Sequence, residues 1–431
     1  MRNKRHRQSR QRSKARKVFR VIWFSVLGVV AVNAIYFGVQ TVIRANSAHE
    51  DLGMAAADVG RDIGYGPLMA VTENFYYQVV NPAQVGGKPT SPAVFGQVVA
   101  TPQPSESASA VMGSSVTKVK SSRVKVAKVN NPAWGAGALQ GSLTPTNVRT
   151  PAKHAVAGEG VWMPTKIKVN GKVAVMVARV RPDSQHTSYF DTLVWMDPKL
   201  LAFQAIPGTI EPKGTYSHGS GRVPKKLSKF YMVGINGGYK TVNMHGGFIY
   251  RGQTVIPMRN DTATLLTYPD GSIDIRNWGV DTIKPGYLSA RQNLPMLVSD
   301  GKNRVRNNND SQWGSALWGT ASGANFVWRS AIGVRADGTV VHLVGPSMSQ
   351  SDLADLMVRA GVVRAMCLDM NNGWASSYFY GPYGSGVPVD PQITRPATRF
   401  LYSSTRDFIA VYAKSPAKLS TVKVSSTKST K

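Results

Sequence analysis

The sequence predicts an α+β protein: a β-rich domain built on a mixed sheet, with a βαβ unit near its C-terminal end, preceded by a single transmembrane helix. Three observations carry this reading. Val21 to Ile43 is an almost unbroken apolar run. From about Val161 to Tyr412, β-branched and alternating segments recur between Gly and Pro breaks. Thr339 to Asp369 then gives an apolar run, a helical pattern and a second apolar run, in that order.

The N-terminus comes first. Residues 1–20 hold ten Lys or Arg and no acid, and read as a basic cytoplasmic tail. Residues 21–43 match the roughly 20 residues that a spanning helix needs. Ala45, Ser47 and Ala48 also offer small residues for cleavage of a signal peptide. The run exceeds the usual signal core of about 7 to 15 residues, which favours an uncleaved anchor. The expected location is the cell membrane, single-pass, with the N-terminus cytoplasmic and the C-terminal domain extracellular.

Residues 44–80 read as a short stalk, helical in part. Residues 81–158 carry prolines at 82, 89, 92, 102, 104, 132, 145 and 151 among many Ser, Thr, Val and Lys. Such a stretch buries too little to fold alone and reads as a disordered tether giving reach through a cell wall. Residues 159–413 form the folded domain, and 414–431 a disordered basic tail with five Lys and no acid.

The formal net charge of +29 invites a nucleic-acid reading. Its placement argues otherwise, because much of it lies in the terminal and linker segments and no recognition helix accompanies it. Anionic lipid near the N-terminus and an anionic cell-wall or capsular glycopolymer further out are the expected partners, with no nucleic acid.

Within the domain, Trp162–Val180, Thr192–Ile206, Phe248–Ile256 and Thr262–Ile275 carry strand patterns, and the Asp-Gly pairs at 270, 300 and 337 are turn signals. The single cysteine, Cys367, excludes an intrachain disulfide and reads as a small buried hydrophobe. Histidines 154, 186, 218, 245 and 342 lack the short spacings of zinc sites. No cofactor is expected; a divalent ion is left open.

The C-terminal unit is the most informative. Val340–Val344 reads as a strand. Ser349 with Asp352 three residues on is a capping-box start, and Leu353, Leu356, Met357 and Ala360 share one helical face before Gly361. Val362–Leu368 reads as a second strand lying parallel to the first, and ligands of such sheets bind beyond the strand ends. That places Asp369, Asn371 and Asn372 at a strand exit, as a site or as a turn with Asp369 capping a loop. INGGY (Ile235–Tyr239) and MHGGF (Met244–Phe248) supply glycine pairs, as turns or as backbone that approaches an anion. RQN (Arg291–Asn293) and WRSAIGV (Trp328–Val334) place an arginine before or on a strand.

Taken in order, INGGY, GGFIYRG with the turn YPDG, NLPMLVSDG, WRSAIGVRADG, SDLADLMVRAGVVRAMCLDMNNGW and RDFIAVY resemble the phosphodiester glycosidase family, over most of Trp162 to Tyr412. The stalk stretches GRDIGYGPLMAVTENFYY and VGGKP are similar to those of membrane-anchored bacterial members. The family's usual Leu-Asp-Gly-Gly-Gly-Ser stands here as Leu368, Asp369, Met370, Asn371, Asn372, Gly373, Trp374, a variant signature that keeps the aspartate.

The resemblance implies hydrolysis of a sugar joined through its anomeric oxygen to a phosphodiester. A fixed negative charge on the substrate calls for bidentate arginine, with Arg329 and Arg291 as candidates. Cleavage at an anomeric carbon calls for a carboxylate, and many such enzymes use two. Asp369 takes one role, with Asp300, and Asp261 behind it, as the second. Asn236 and Asn371 would orient sugar hydroxyls, with Asn293 beside the same site. The amides of Gly237 and Gly238 would hold phosphate oxygen, and Trp374 would stack on a sugar or pack in the core. The alternative functions are a non-catalytic glycopolymer-binding or assembly factor of the cell envelope, and transfer of the sugar to an acceptor other than water.

Overall fold

The computed structural model describes residues 23–25, 27–46, 52–75, 79, 82–88, 145–214, 220–244, 246–305, 326–370 and 373–414. The basic N-terminal block, most of the linker, the tail from 415, and Asn371 and Asn372 lie outside the described residues.

The N-terminal apolar segment is a helix, Trp23–Asn46, long and apolar enough to cross a membrane by length and composition. Two shorter helices follow, Leu52–Asp62 and Gly66–Phe75.

The domain is β-rich. Its largest sheet has eight strands, in the spatial order Met163–Pro164, Val175–Val180, Asp191–Met196, Val340–Met348, Val327–Arg335, Val362–Met370, Val298–Ser299 and Lys302–Asn303. A five-stranded sheet runs Val387–Pro388, Ser377–Phe379, Tyr231–Asn236, Phe408–Ala413 and Leu201–Ile206. Another runs Ile273–Asn277, Ala263–Thr267, Ser289–Gln292, Phe248–Tyr250 and Gln253–Ile256. The Asp-Gly pairs at 270, 300 and 337 all turn hairpins, with Gly271, Gly301 and Gly338 in the left-handed region at φ 79°, 68° and 81°.

Every strand pairing among the described residues is antiparallel, which corrects the expected mixed sheet. Val340–Met348, the helix Gln350–Arg359 and Val362–Met370 do follow one another, and the Ser349/Asp352 capping box is formed. The two strands are not neighbours, however. Val327–Arg335 lies between them and pairs antiparallel with both.

The physical reason for the misreading is burial on two faces. Val194, Met196, Val340, Val344, Met366 and Leu368 face the core shared with the smaller sheets, whereas Leu193, Trp195, Val341, Leu343, Ala365 and Cys367 face the layer that holds Leu353, Leu356 and Met357 of the helix. A strand covered on both sides reads as a continuous apolar run, the pattern usual for parallel strands.

The ends of the linker dock on this domain. Gly86 N donates to Gln185 O at 2.6 Å, and Thr187 Oγ1 to Gly87 O at 2.8 Å. Trp162 Nε1 donates to Thr146 O at 3.0 Å, and buried Glu159 receives the Arg181 guanidinium at 2.7 Å.

Candidate functional site

Asp369 stands on a β-bulge. Arg329 pairs with Met370 and Ala331 with Cys367, so Leu368 and Asp369 together oppose Ser330 alone. An extra residue breaks the ladder and re-aims a side chain, a device common beside active sites. Ser330 repairs the gap. Its hydroxyl donates to Asp369 O at 3.0 Å, accepts from Asp369 N at 3.1 Å, and accepts from Asn236 Nδ2 at 2.9 Å.

The Asp369 carboxylate is buried and held at both oxygens. Met370 N donates to Oδ1 at 2.8 Å, and Arg406 Nη2 to Oδ2 at 2.7 Å. Burial pushes the carboxyl up, Arg406 and the Met370 amide pull it part of the way back, and it settles at about 6. The same Arg406 nitrogen donates to Gly238 O at 2.8 Å.

Further charges surround this pair. Asp407 Oδ2 accepts from Arg291 Nε at 3.2 Å, and Glu211 Oε2 accepts from Thr241 N and Oγ1 at 3.1 and 2.9 Å. Among the described residues, Asp407 Oδ1 and Glu211 Oε1 are buried and meet no hydrogen-bond partner. Burial raises the Asp407 carboxyl, with Arg291 and Arg406 opposing and Glu211 adding to the rise. Burial alone would lower the Arg406 guanidinium, but Asp369, Asp58, Asp407 and Glu211 lift it above its ordinary value and it stays charged. A narrow cavity beside these groups is lined by Gly237, Gly238, Arg291, Asn293, Leu368 and Asp407 among others.

Trp374 is buried under guanidinium groups. The Arg406, Arg399 and Arg395 carbons lie 4.3, 4.5 and 4.6 Å from its ring centroid. Arg395 and Arg399 also donate to Gly373 O, and Arg399 to Ser376 Oγ at 2.6 Å. The indole supports the arginine cluster rather than presenting a bare face.

The other predicted residues divide. Asn236 donates to Ser330 Oγ and Gly237 O and accepts from Ser376 N, and so braces the bulge. Gly237 N donates to Asp407 O at 3.1 Å, so that amide is already engaged. A Cβ at Gly237 would meet Asp407 O at 2.5 Å, and one at Gly238 would meet Asn293 Oδ1 at 3.0 Å. Close packing is the reason for both glycines. Asn293 ties the Tyr239 loop to the strand of Asp369, through Tyr239 N, Cys367 O and Leu368 O. Arg291 reaches the site by holding Asp407, while its other nitrogens donate to Gln292 O and Tyr239 O at 2.5 and 2.6 Å.

Two expectations are corrected. Asp300 does not meet Asp369: it is exposed at a hairpin turn and pairs with Arg304 at 3.0 Å. The neighbouring Gly301 N bonds Val363 O, which puts Asp300 six residues down the strand from Asp369, roughly 20 Å at ~3.3 Å per residue. Asp261 sits in another turn, where Oδ1 accepts from Asn277 Nδ2. The second concerns Arg329, a candidate for meeting the substrate's negative charge. It is fully buried, donates from Nε to Met348 O at 2.8 Å, and lies in the field of Tyr239 and Cys367; the guanidinium that pairs with Asp369 is that of Arg406. Cys367 is buried and its thiol is pushed up to about 12, as suits a packed, inert sulfur.

Arg406, Asp407, Glu211, Lys240, Arg395 and Arg399 were not singled out from the sequence. Only the Arg406-Asp407 pair at the head of RDFIAVY carried a signal, as two charges at the start of an apolar strand. Among the described residues no three His, Cys, Asp or Glu side chains are arranged to hold a metal ion.

No curated protein matches this sequence. Among solved structures, a hypothetical protein from Synechocystis is similar at 12% identity and a TM-score of 0.33, over 59% of this chain and 63% of its own. The chain thus spans under two thirds of that protein. The zebrafish N-acetylglucosamine-1-phosphodiester alpha-N-acetylglucosaminidase catalytic domain, auto-inhibited by pro-peptide, is similar at 15% identity and a TM-score of 0.37, over 62% of this chain and 88% of its own. A putative exported protein from Burkholderia pseudomallei is similar at 10% identity and a TM-score of 0.24, over 52% and 74%. Asp369, Lys240 and Trp374 fall within residues 230–398, whereas Glu211, Arg406 and Asp407 flank that stretch. Residues 230–398 match the family model of the phosphodiester glycosidases.

Proposed function

We propose that the protein is an extracytoplasmic hydrolase, anchored by the helix Trp23–Asn46, that releases a sugar from a sugar phosphodiester in a cell-wall or capsular glycopolymer. The observation that carries this reading is the buried carboxyl of Asp369, a residue inside the family-matched stretch, which lies at about 6 and pairs with Arg406 just beyond that stretch.

A group titrating near 6 is largely a carboxylate at neutral pH, yet basic enough to take a proton from water. Water oxygen bonds the anomeric carbon, Asp369 accepts the water proton, and the bond from that carbon to the phosphate oxygen breaks. The electron pair leaves with the phosphomonoester. Arg406 offsets charge on the departing phosphate and holds the carboxylate in place. Asp407 and Glu211 are the carboxylates available to stabilise the oxocarbenium-like state. Transfer to a sugar hydroxyl in place of water follows the same steps.

The test is incubation of the full-length protein with sugar phosphodiester model compounds and wall polymer, with free sugar as the readout. Wild type releases sugar, and Asp369→Asn loses at least ~100-fold in kcat with its Tm little changed. No release by wild type under conditions where a control glycosidase works refutes the reading. The basic linker favours the second reading, a polymer-binding factor, which predicts salt-sensitive binding that persists in Asp369→Asn without turnover.

A further inference from the structure

One carboxylate joins the apolar N-terminal helix to the candidate site. Asp62, the last residue of the helix Leu52–Asp62, accepts from Arg44 Nη1 at Oδ2 (3.0 Å) and from Lys240 Nζ at Oδ1 (2.8 Å). Arg44 stands in the last turn of the helix Trp23–Asn46, whose 24 residues span about 36 Å, a little more than the ~30 Å hydrocarbon core of a bilayer. With that helix as the anchor, the Arg44 guanidinium lies in the headgroup layer. Lys240 follows Gly238 by two residues, at most ~7 Å of chain. Gly238 O accepts from the same Arg406 nitrogen that holds Asp369. The site is thereby pinned beside the end of the anchor.

The linker does not lengthen this connection. Gly86 and Thr146 both bond the domain, so the stretch between them leaves and rejoins the same body, and its length leaves the distance from anchor to site unchanged. The surface next to the site is apolar with a basic fringe. Among the described residues of 159–413, four large apolar side chains are exposed: Ile210, Val280, Leu401 and Tyr402. Three of them gather near Arg406, since Ile210 N donates to Thr405 O at 3.0 Å and Leu401 and Tyr402 precede that residue closely. Leu52, Leu68 and Phe75, on the two helices after the anchor, are exposed as well. Lys225, Lys226 and Lys229, also exposed, follow Gly221, whose carbonyl takes the Ser404 amide at 2.7 Å. Exposed apolar side chains fringed by lysine suit a bilayer with anionic headgroups, whereas a hydrophilic polymer would leave them uncovered.

We propose that the site faces the membrane surface, with Ile210, Leu401 and Tyr402 against the bilayer, and that its substrate is a membrane lipid: a sugar joined through its anomeric oxygen and a phosphate to a lipid alcohol. This rests on the glycosidase reading for the reaction and narrows its substrate to the lipid-linked form. Water oxygen bonds the anomeric carbon and Asp369 takes the water proton. The bond from that carbon to the phosphate oxygen breaks, and its electron pair stays with the phosphate. The products are free sugar and a lipid phosphomonoester that remains in the bilayer. The phosphate of such a lipid lies in the headgroup layer, the level at which Arg44 and Lys240 share Asp62.

The test reconstitutes the full chain in vesicles of phosphatidylcholine and phosphatidylglycerol. Two compounds carry the same sugar phosphate, one esterified to a long-chain alcohol in the bilayer and the other to methanol in solution. Wild type is expected to release sugar from the lipid-linked compound with a kcat/KM at least ~10-fold higher, and Leu401→Asp to lose that preference while its turnover of the methyl compound changes less than about twofold. Equal rates on the two compounds in wild type, or a Leu401→Asp variant slowed alike on both, overturn the proposal. A second readout does not depend on activity. Cys367 is buried, so a maleimide fluorophore attaches at Leu401→Cys, and lipids with brominated acyl chains should quench it. Equal emission in brominated and plain vesicles overturns the membrane-facing surface. Release from the methyl compound without quenching removes that surface and keeps the glycosidase. Quenching without release from either compound keeps the surface and removes the glycosidase, and the lipid substrate with it.

Discussion

Arg406 Nη2 lies 2.7 Å from Asp369 Oδ2, and the two residues, 37 positions apart in the chain, stand just ahead of a strand of one sheet and on a strand of another. This pair joins the start of the strand Phe408–Ala413 to the bulged end of Val362–Met370. It sets the charge, the aim and the proton affinity of the carboxylate on which the proposed chemistry depends.

The pH profile should report that pair. If Asp369 acts as a carboxylate, kcat rises with pH through a limb near 6. Arg406 favours the charged form, so Arg406→Met should move the limb to higher pH and lower the plateau at least tenfold. A limb that stays in place in the variant assigns it to another group. The stability term has a definite sign as well. The folded value is raised from 3.8 to about 6. Folding therefore takes up a proton in that window, and this group's contribution to stability falls as pH rises through it and is constant above.

Asp300 and Asp407 give a paired test of the second carboxylate. Asp300→Asn, at an exposed turn, should change stability by no more than about 0.5 kcal/mol and kcat by less than twofold. Asp407→Asn, beside Arg406 and Arg291, should lower kcat/KM at least tenfold. Steady-state kinetics on both variants decides between the two residues.

Gly237→Ala should damage the site from beneath. The added methyl would stand 2.5 Å from Asp407 O and 2.6 Å from its Oδ2, so strand or carboxylate must shift. Overpacking of this kind costs about 1–3 kcal/mol. A thermal melt should show a loss of several degrees at about 2–4 °C per kcal/mol, with kcat reduced.

Ser330→Ala should loosen the bulge. It removes the hydroxyl that bonds Asp369 O, Asp369 N and Asn236 Nδ2, leaving buried polar groups unpaired at about 1–3 kcal/mol. Ser330→Cys restores size without full bonding. It should recover less than half of the lost Tm.

Much of the local structure was legible. The capping box at Ser349 and Asp352, the buried stripe of Leu353, Leu356 and Met357, the three Asp-Gly turns and the packed Cys367 all follow from short-range chemistry, and all are present. Strand direction was not, because the apolar run Val362–Leu368 reflects cover on two faces rather than parallel neighbours.

The sequence by itself determined the apolar N-terminal helix, the β-rich character of the domain and the choice of Asp369, because periodicity, turn chemistry and the run around LDMNNGW are local properties of the chain. Only the tertiary structure decided which charges meet that aspartate. Arg406 arrives from just ahead of one strand, Arg399 from a short 3-10 turn and Asp58 from a helix more than 300 residues earlier, while Asp300, nearer in sequence than Asp58, sits in a hairpin turn at the far end of the Asp369 strand. Strand order and a one-residue bulge fix these encounters, and neither leaves a periodic trace for the sequence to show.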